Sequence, residues 1–443
     1  MTSSRMLSPM LLASLVGAAA FTMQAAHAPR SALTLSTRQT PQVASRAGRV
    51  RAVAELIRTD APAAKSSLSG ALPDCPTTIW DTDELDIKFW QDKYKSEEKR
   101  ACPIEVVATP EANAAGAEYF KQRKAEFASM LEEHGTIWFK GFDLMKDPAG
   151  FRSFWESLEL DPCLDPIHTS GLRKFLSKKD GIYEEVNKQA LSKHYIGLHN
   201  ESTFKKTAKS GAFVCFKPAT VSGGEFLIAD GEAIFRDLDP EILAMLCERK
   251  VRISVSNLDL DVLGNLPEDI KKQAMNKVGE LVDANIAPKF DMDLDMIWGT
   301  DGKDLRLQAI EHAQSPVNRH PVTKRPVWFC NMHNHARFLR DRRPCSVPEV
   351  GMTDVYFGDL SIIPGDVLQK VNEVCEANIV RVPMQPGDVL LCDNYRVLHG
   401  RDIFEGERLH AVSWFGDEST AKAKAGGTGD LLNSIINNFV VGN

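Results

Sequence analysis

Of the eleven histidines in this 443-residue chain, only His199 has a carboxylate two positions on, Glu201. On an extended strand, side chains two apart point to the same face, so an imidazole and a carboxylate would stand side by side there. Far along the chain the segment Leu398–Arg401 carries a second histidine, His399, with Arg408 beyond it. Two ligands from one strand and a third from a remote strand occupy three adjacent corners of an octahedron. That is the 2-His-1-carboxylate facial triad, which leaves open positions on a ferrous ion for a chelating co-substrate and O2. His199, Glu201 and His399 are therefore the predicted metal ligands and catalytic centre. A histidine followed by a carboxylate also arises by chance in surface loops, so the assignment rests on its surroundings.

Those surroundings have a definite order. After the first segment come an apolar run, Gly211–Phe216, then Gly223, Gly224 and Glu225, then Ile228, Ala229 and Asp230. Pro386–Leu398 leads into the second histidine. In this order the segments resemble the TauD/TfdA family of Fe(II)/2-oxoglutarate dioxygenases, and within it the clavaminate-synthase-like and SyrP-like branch. Lys324–Asn331 is similar to the family's Trp-Phe-Asn segment and Val355–Asp359 to its Phe-Gly-Asp segment; the likeness runs from about Gly135 to Gly416.

The resemblance implies a double-stranded β-helix, Fe(II) as cofactor, and 2-oxoglutarate and O2 as co-substrates. It places on Arg408 the arginine that takes the distal carboxylate of 2-oxoglutarate, a task suited to a bidentate guanidinium. The other reading of Arg408 is a surface arginine beside Glu405 and Glu407. Arg401 either shares the task or supports the turn. Two departures stand out. Phe226 occupies the place after Gly-Gly-Glu where the family commonly has a threonine whose hydroxyl helps bind 2-oxoglutarate. Leu409–Val412 lacks the further arginine of sulfonate-using relatives, which argues against taurine as substrate.

Met332–Arg337 follows the Trp-Phe segment, so His333, His335 and Trp328 are the candidate substrate contacts, with Arg337 and Arg340 as nearby cations. The bland readings are solvated loop histidines and a core tryptophan. Trp298, Phe329 and Phe204 are further aromatic candidates for a cavity wall. The reaction implied converts 2-oxoglutarate to succinate and CO2 and takes hydrogen from an unactivated C–H, giving an alcohol or an alkene. A non-catalytic jelly-roll binding protein is the rival reading, and Phe226 is the hint in its favour.

Composition narrows the setting. Formal net charge is −7. Residues 1–54 contain no acidic residue and six arginines, so removing them leaves −13. An acidic mature protein is not a nucleic-acid binder by default. No apolar stretch in the mature region is long enough to span a bilayer. Nine cysteines without a Cys-x-x-Cys pair suggest a reducing compartment. Met10–Ala20 is an apolar core of signal-peptide length, followed by Phe21 and a Ser/Thr/Arg-rich stretch. This tandem resembles the bipartite plastid leader of algae with secondary or complex plastids. It sharpens the expected substrate to a plastid small molecule or pigment, in particular a protochlorophyllide whose 17-propionate is oxidised to an acrylate, the step of chlorophyll c synthesis. Other plastid acids, amines or carotenoids are the alternatives.

The elements that must hold this centre are predicted as follows. Residues 1–58 are leader, 59–113 linker and N-terminal extension, 114–418 the catalytic domain and 419–443 a tail. Apolar spacing predicts a helix over Ala117–His134 feeding a buried strand at Thr136–Phe139. Further helices are expected at Glu232–Arg249, Leu266–Leu281 and Ser361–Val374, and strands at Val251–Val255, Ile379–Val382, Val389–Cys392 and His410–Phe415. Residues 284–325 read as a polar, proline-punctuated loop. The sum is a mainly β fold with helical insertions, a jelly roll.

Overall fold

The computed structural model describes residue 72 and residues 85–416, apart from 167–173, 185–186, 188–190, 203–205, 260–262, 264–265, 286–293, 299–305 and 344–352. The expected leader, most of the linker, Phe204 and the tail after residue 416 lie outside the described residues.

The chain enters its core through a helix-to-strand turn. Helix Lys124–His134 stops at Gly135, whose φ of 71° is left-handed. A Cβ at Gly135 would also lie 2.9 Å from Val397 Cγ2, so only glycine fits the turn. Strand Thr136–Lys140 follows at once. The single helix expected over Ala117–His134 is two helices, Ala117–Gln122 and Lys124–His134, broken at Arg123. The helix expected at Glu232–Arg249 also divides, into Gly231–Asp237 and Pro240–Arg249. Pro240 cannot continue a helix but opens a new one, and Asp239 caps it by accepting from Glu241 N and Ile242 N.

Two sheets face each other. In the eight-stranded sheet, Ile104–Val107 pairs in parallel with Thr136–Lys140. From there Val389–Asp393, Ser210–Lys217, Leu409–Phe415, Ile182–Glu184 and Phe175–Ser177 follow in antiparallel order, with Pro162–Cys163 beside Leu409–Phe415. The four-stranded sheet runs Val380–Val382, Phe226–Asp230, Val397–Arg401, Ile196–His199, all antiparallel.

Period-two alternation divides the side chains among three cores. Phe213, Cys215, Leu390, Val412 and Trp414 of the large sheet meet Phe226, Ile228, Val382 and Val397 of the small one between the sheets. The other face of the large sheet, including Phe139, Val214, Leu391 and Ala411, packs under Phe120, Phe127, Phe154 and Trp155 of the neighbouring helices. Each fully buried phenylalanine there contributes about 1.5–3 kcal/mol. The outer face of the small sheet, Leu198, Leu227, Ala229 and Leu398, packs on Phe235, Leu243, Leu246, Leu368 and Val371. Two facing sheets flanked by helices make the double-stranded β-helix, mainly β with helical insertions.

The loop expected over 284–325 is instead largely sheet. Leu294–Trp298, Arg306–Glu311, Val251–Asp259 and Asp354–Phe357 form a separate four-stranded antiparallel sheet, and Val317–Arg319 pairs with Pro326–Trp328. Pro316 directly precedes strand Val317–Arg319 and Pro326 is the first residue of strand Pro326–Trp328, positions a strand allows to proline.

Candidate active site

The small sheet brings the first two histidines together. His399 is the antiparallel partner of His199, and their ring centroids are 4.3 Å apart. Glu201 lies just beyond the end of strand Ile196–His199, yet donor atoms of His199, Glu201 and His399 all lie within 4.8 Å of one another. Glu201 and His399 are buried.

Backbone locks, remote in sequence, hold this geometry. Glu201 N donates to Asn394 Oδ1 at 2.9 Å, and Asn394 Nδ2 donates back to Glu201 O at 2.9 Å. Asn200 Nδ2 reaches Asn394 O and Val397 O. One asparagine from each ligand-bearing segment therefore ties that segment to the other. On the outer edge, Asn331, His333 and Asn334 serve strand Ile196–His199 as a side-chain ladder. Gly197 N donates to Asn334 Oδ1, Leu198 N to His333 Nδ1 and Asn200 N to Asn331 Oδ1, at 2.8–2.9 Å. An edge strand's N–H groups are thereby satisfied without another strand.

The donor set fits Fe(II). His199 Nδ1 lies 2.9 Å from Gly197 O. A carbonyl only accepts, so this nitrogen carries the proton and Nε2 keeps its lone pair for a metal. Phe213, Phe226 and Trp414 surround the His399 ring at 4.8, 6.0 and 6.0 Å, with Phe226 stacked nearly parallel at 4°. These aromatics fix the imidazole plane. Two neutral imidazoles and one carboxylate are the ligand types suited to ferrous iron with open positions. When bound, iron supplies the activation of O2 against 2-oxoglutarate; the chain supplies binding, orientation and exclusion of water.

Arg408 is buried, which removes the surface reading. Its Nε donates to Gly224 O at 3.3 Å and its Nη1 to Asn187 Oδ1 at 3.1 Å. Gly224 has φ of 79°, and a Cβ there would meet Arg408 Cδ at 3.2 Å, so glycine is what lets the arginine lie against this turn. Neighbouring Glu407 turns outward to Lys217. Arg401 donates from Nη2 to Leu191 O and His194 O, the turn-supporting role.

The candidate substrate contacts separate. His333 is fully buried, its Nδ1 taken by Leu198 N–H and its Nε2 3.3 Å from Glu376 Oε1. It stands behind the metal strand as a buttress, a placement that does not suit substrate contact. Trp328 belongs to the core on the outer face of the small sheet, with Leu198 and Leu398, whereas His399 points to the other face. Strand alternation puts it across the sheet from the metal centre. His335 follows Asn334, whose side chain accepts from Gly197 N, so it lies on the segment that flanks the His199 strand. Burial foremost, with the positive charge of Arg340 adding to it, pushes its pKa down to about 3, so the ring is neutral. Arg340 is anchored by donating to Thr353 Oγ1 and O. Sequence alone assigns no role to Asn187, Asn200, Asn331 and Asn394; for the last three, nearness to the motifs is the available signal.

Comparison with known proteins shows what the chain is similar to. The dapdiamide synthesis protein DdaC of Enterobacter agglomerans is 24% identical over 316 residues, 70% of this chain and 90% of that protein. A clavaminate synthase-like protein of Arabidopsis thaliana is 26% identical over 298 residues, 65% of this chain and 83% of that protein. Among solved structures, PvcB of Pseudomonas aeruginosa has a TM-score of 0.41 at 13% identity, covering 73% of this chain and 90% of its own. An asparagine oxygenase in complex with Fe(II), 3-hydroxyasparagine and succinate has a TM-score of 0.40 at 12% identity, covering 74% and 89%. The sequence model described as "Taurine catabolism dioxygenase TauD, TfdA family" matches residues 107–414, the stretch that carries both sheets and all three ligands. The chain belongs to that family and is an Fe(II)- and 2-oxoglutarate-dependent dioxygenase.

Proposed function

We propose that this dioxygenase acts on a carboxylate-bearing plastid metabolite, and that the metabolite is a protochlorophyllide whose 17-propionate becomes an acrylate. The observation that carries the reading is that the segment bearing His335 and Arg340 is bonded to the His199 strand, Asn334 accepting from Gly197 N and His333 from Leu198 N. His335 offers an N–H and Arg340 a positive charge on the His199 side of the triad, where a substrate acid would be steered. The rest of the mature surface is acidic and would not attract one.

Two further features support it. The acid-free, arginine-bearing leader favours the plastid. Leu409–Val412 lacks the further arginine of sulfonate users, which speaks against taurine. In the reaction one hydrogen leaves each of the two propionate carbons and a C=C bond forms. 2-Oxoglutarate loses CO2 to become succinate. One oxygen atom of O2 enters succinate, and the other leaves as water with the two hydrogens.

The test is incubation of the mature protein, Fe(II) and 2-oxoglutarate with algal pigment extract, followed by mass analysis. A product two hydrogens lighter than its protochlorophyllide, formed with succinate, supports the reading. Succinate formation with no change in any protochlorophyllide moves the substrate to another plastid acid, amine or carotenoid. The rival of a non-catalytic jelly-roll binder has the complete triad and buried Arg408 against it.

A further inference from the structure

His410 is a buried histidine that neither the metal triad nor the substrate reading uses. It pairs with Cys215 across the large sheet and shares strand parity with Val412 and Trp414, whose side chains fill the space between the sheets. Only 2% of its surface is exposed, and its Nδ1 is buried with no hydrogen-bond partner among the described residues. An imidazole nitrogen left in that state is destabilising, so the site invites an explanation. The ring is neutral, because burial and the nearby guanidiniums of Arg408 and Arg401 hold its pKa well below the usual histidine range. A neutral imidazole still has one N–H to give.

Its position is held with care. Asn187 Nδ2 donates to His410 O at 2.8 Å, and Asn187 Oδ1 accepts from His410 N at 3.0 Å and from Arg408 Nη1 at 3.1 Å. One amide thus sets His410 and Arg408 relative to each other. Phe226, which replaces a hydroxyl-bearing residue in the resemblance, lies on the facing strand as the partner of Arg401.

We propose that His410 is a second anchor for the distal carboxylate of 2-oxoglutarate: its imidazole N–H donates to one carboxylate oxygen while Arg408 holds the carboxylate by charge. This rests on Arg408 receiving that carboxylate. The N–H of His410 then does the work of the hydroxyl that Phe226 lacks, from the opposite sheet.

The experiment measures anaerobic binding of 2-oxoglutarate to the Fe(II) protein by its visible charge-transfer band, and in parallel binding of 2-oxovalerate, which has the same keto-acid head and no distal carboxylate. H410F should weaken 2-oxoglutarate binding by roughly 10- to 100-fold, the worth of one hydrogen bond to a charged group. It should leave 2-oxovalerate binding within about threefold of the parent. H410Q, which keeps an N–H, should recover most of the loss. If H410F does not fold, H410A serves in the same comparison. Equal losses for both acids, or no loss for either, would overturn the anchor. If R408A binds 2-oxoglutarate like the parent, the Arg408 reading fails, and the His410 proposal with it. If R408A weakens while His410 variants do not, only the His410 proposal fails.

Discussion

His199 and His399 face each other as cross-strand partners on antiparallel strands, so one backbone pairing sets the separation of two metal ligands. Such a pair moves only if the strands slip, and a slip of one residue in either strand would turn its ring to the other face of the sheet, away from its partner. The expected consequence is that H199A or H399A loses iron and turnover by more than about 100-fold while the fold persists, since ligand loss exceeds the usual cost of losing a supporting group. Metal content of the purified variants and their far-UV spectra check this; iron retained at the parent's level would move the centre elsewhere.

His333 supports the same strand from behind. Truncating it leaves Leu198 N–H buried without its acceptor, at a cost of about 1–3 kcal/mol. H333A should therefore lower stability and weaken iron by roughly 10- to 100-fold, without changing which acids the protein accepts. Urea unfolding and iron titration read the two effects. A change in substrate preference alone, with iron affinity intact, would return His333 to the substrate side.

Arg408 is buried against Gly224 and Asn187, and a carboxylate bound there would lose about 2–5 kcal/mol without it. R408A should raise the 2-oxoglutarate concentration needed for half-maximal turnover steeply. R408K should recover part of the loss, because an ammonium is a point charge without the guanidinium fork. Saturation curves for succinate formation decide it, and unchanged curves in both variants would assign the carboxylate to another residue.

Glu311 ends a strand of the separate sheet, and burial alone pushes its pKa up to about 7 from 4.5. The folded protein thus holds this proton more tightly than the unfolded chain. The stabilisation is complete below the ordinary value and is lost as pH rises through about 7. E311Q removes that dependence, so its stability relative to the parent should rise between about pH 5 and about pH 8. Denaturant midpoints across that range measure it; a constant difference would mean that Glu311 is charged throughout.

The proposed leader is tested apart from the enzyme. Residues 1–58 fused to a fluorescent protein should enter the plastid of an alga with a complex plastid, and removing Met10–Ala20 should stop entry. Fluorescence in mitochondria or in the medium would withdraw the plastid and most of the support for a pigment substrate.

The sequence by itself determined the ligand types and the family, because an imidazole and a carboxylate two residues apart, followed in order by glycine-rich and apolar signatures, are local facts of the chain. It also determined the core strands, whose alternation survives in Val389–Asp393 and Leu409–Phe415. Tertiary structure alone decided what each polar side chain touches. Nothing in the sequence near His333 says that its nitrogen meets Leu198 N, nor near Asn394 that it closes on Glu201, because those contacts join segments separated by more than a hundred residues. The same holds for Trp328 and His335. Both lie near one motif, yet packing sends Trp328 to the outer core of the small sheet and sets Asn334, the neighbour of His335, on Gly197 N of the ligand strand. Chain neighbours share a segment, but only packing assigns them a side.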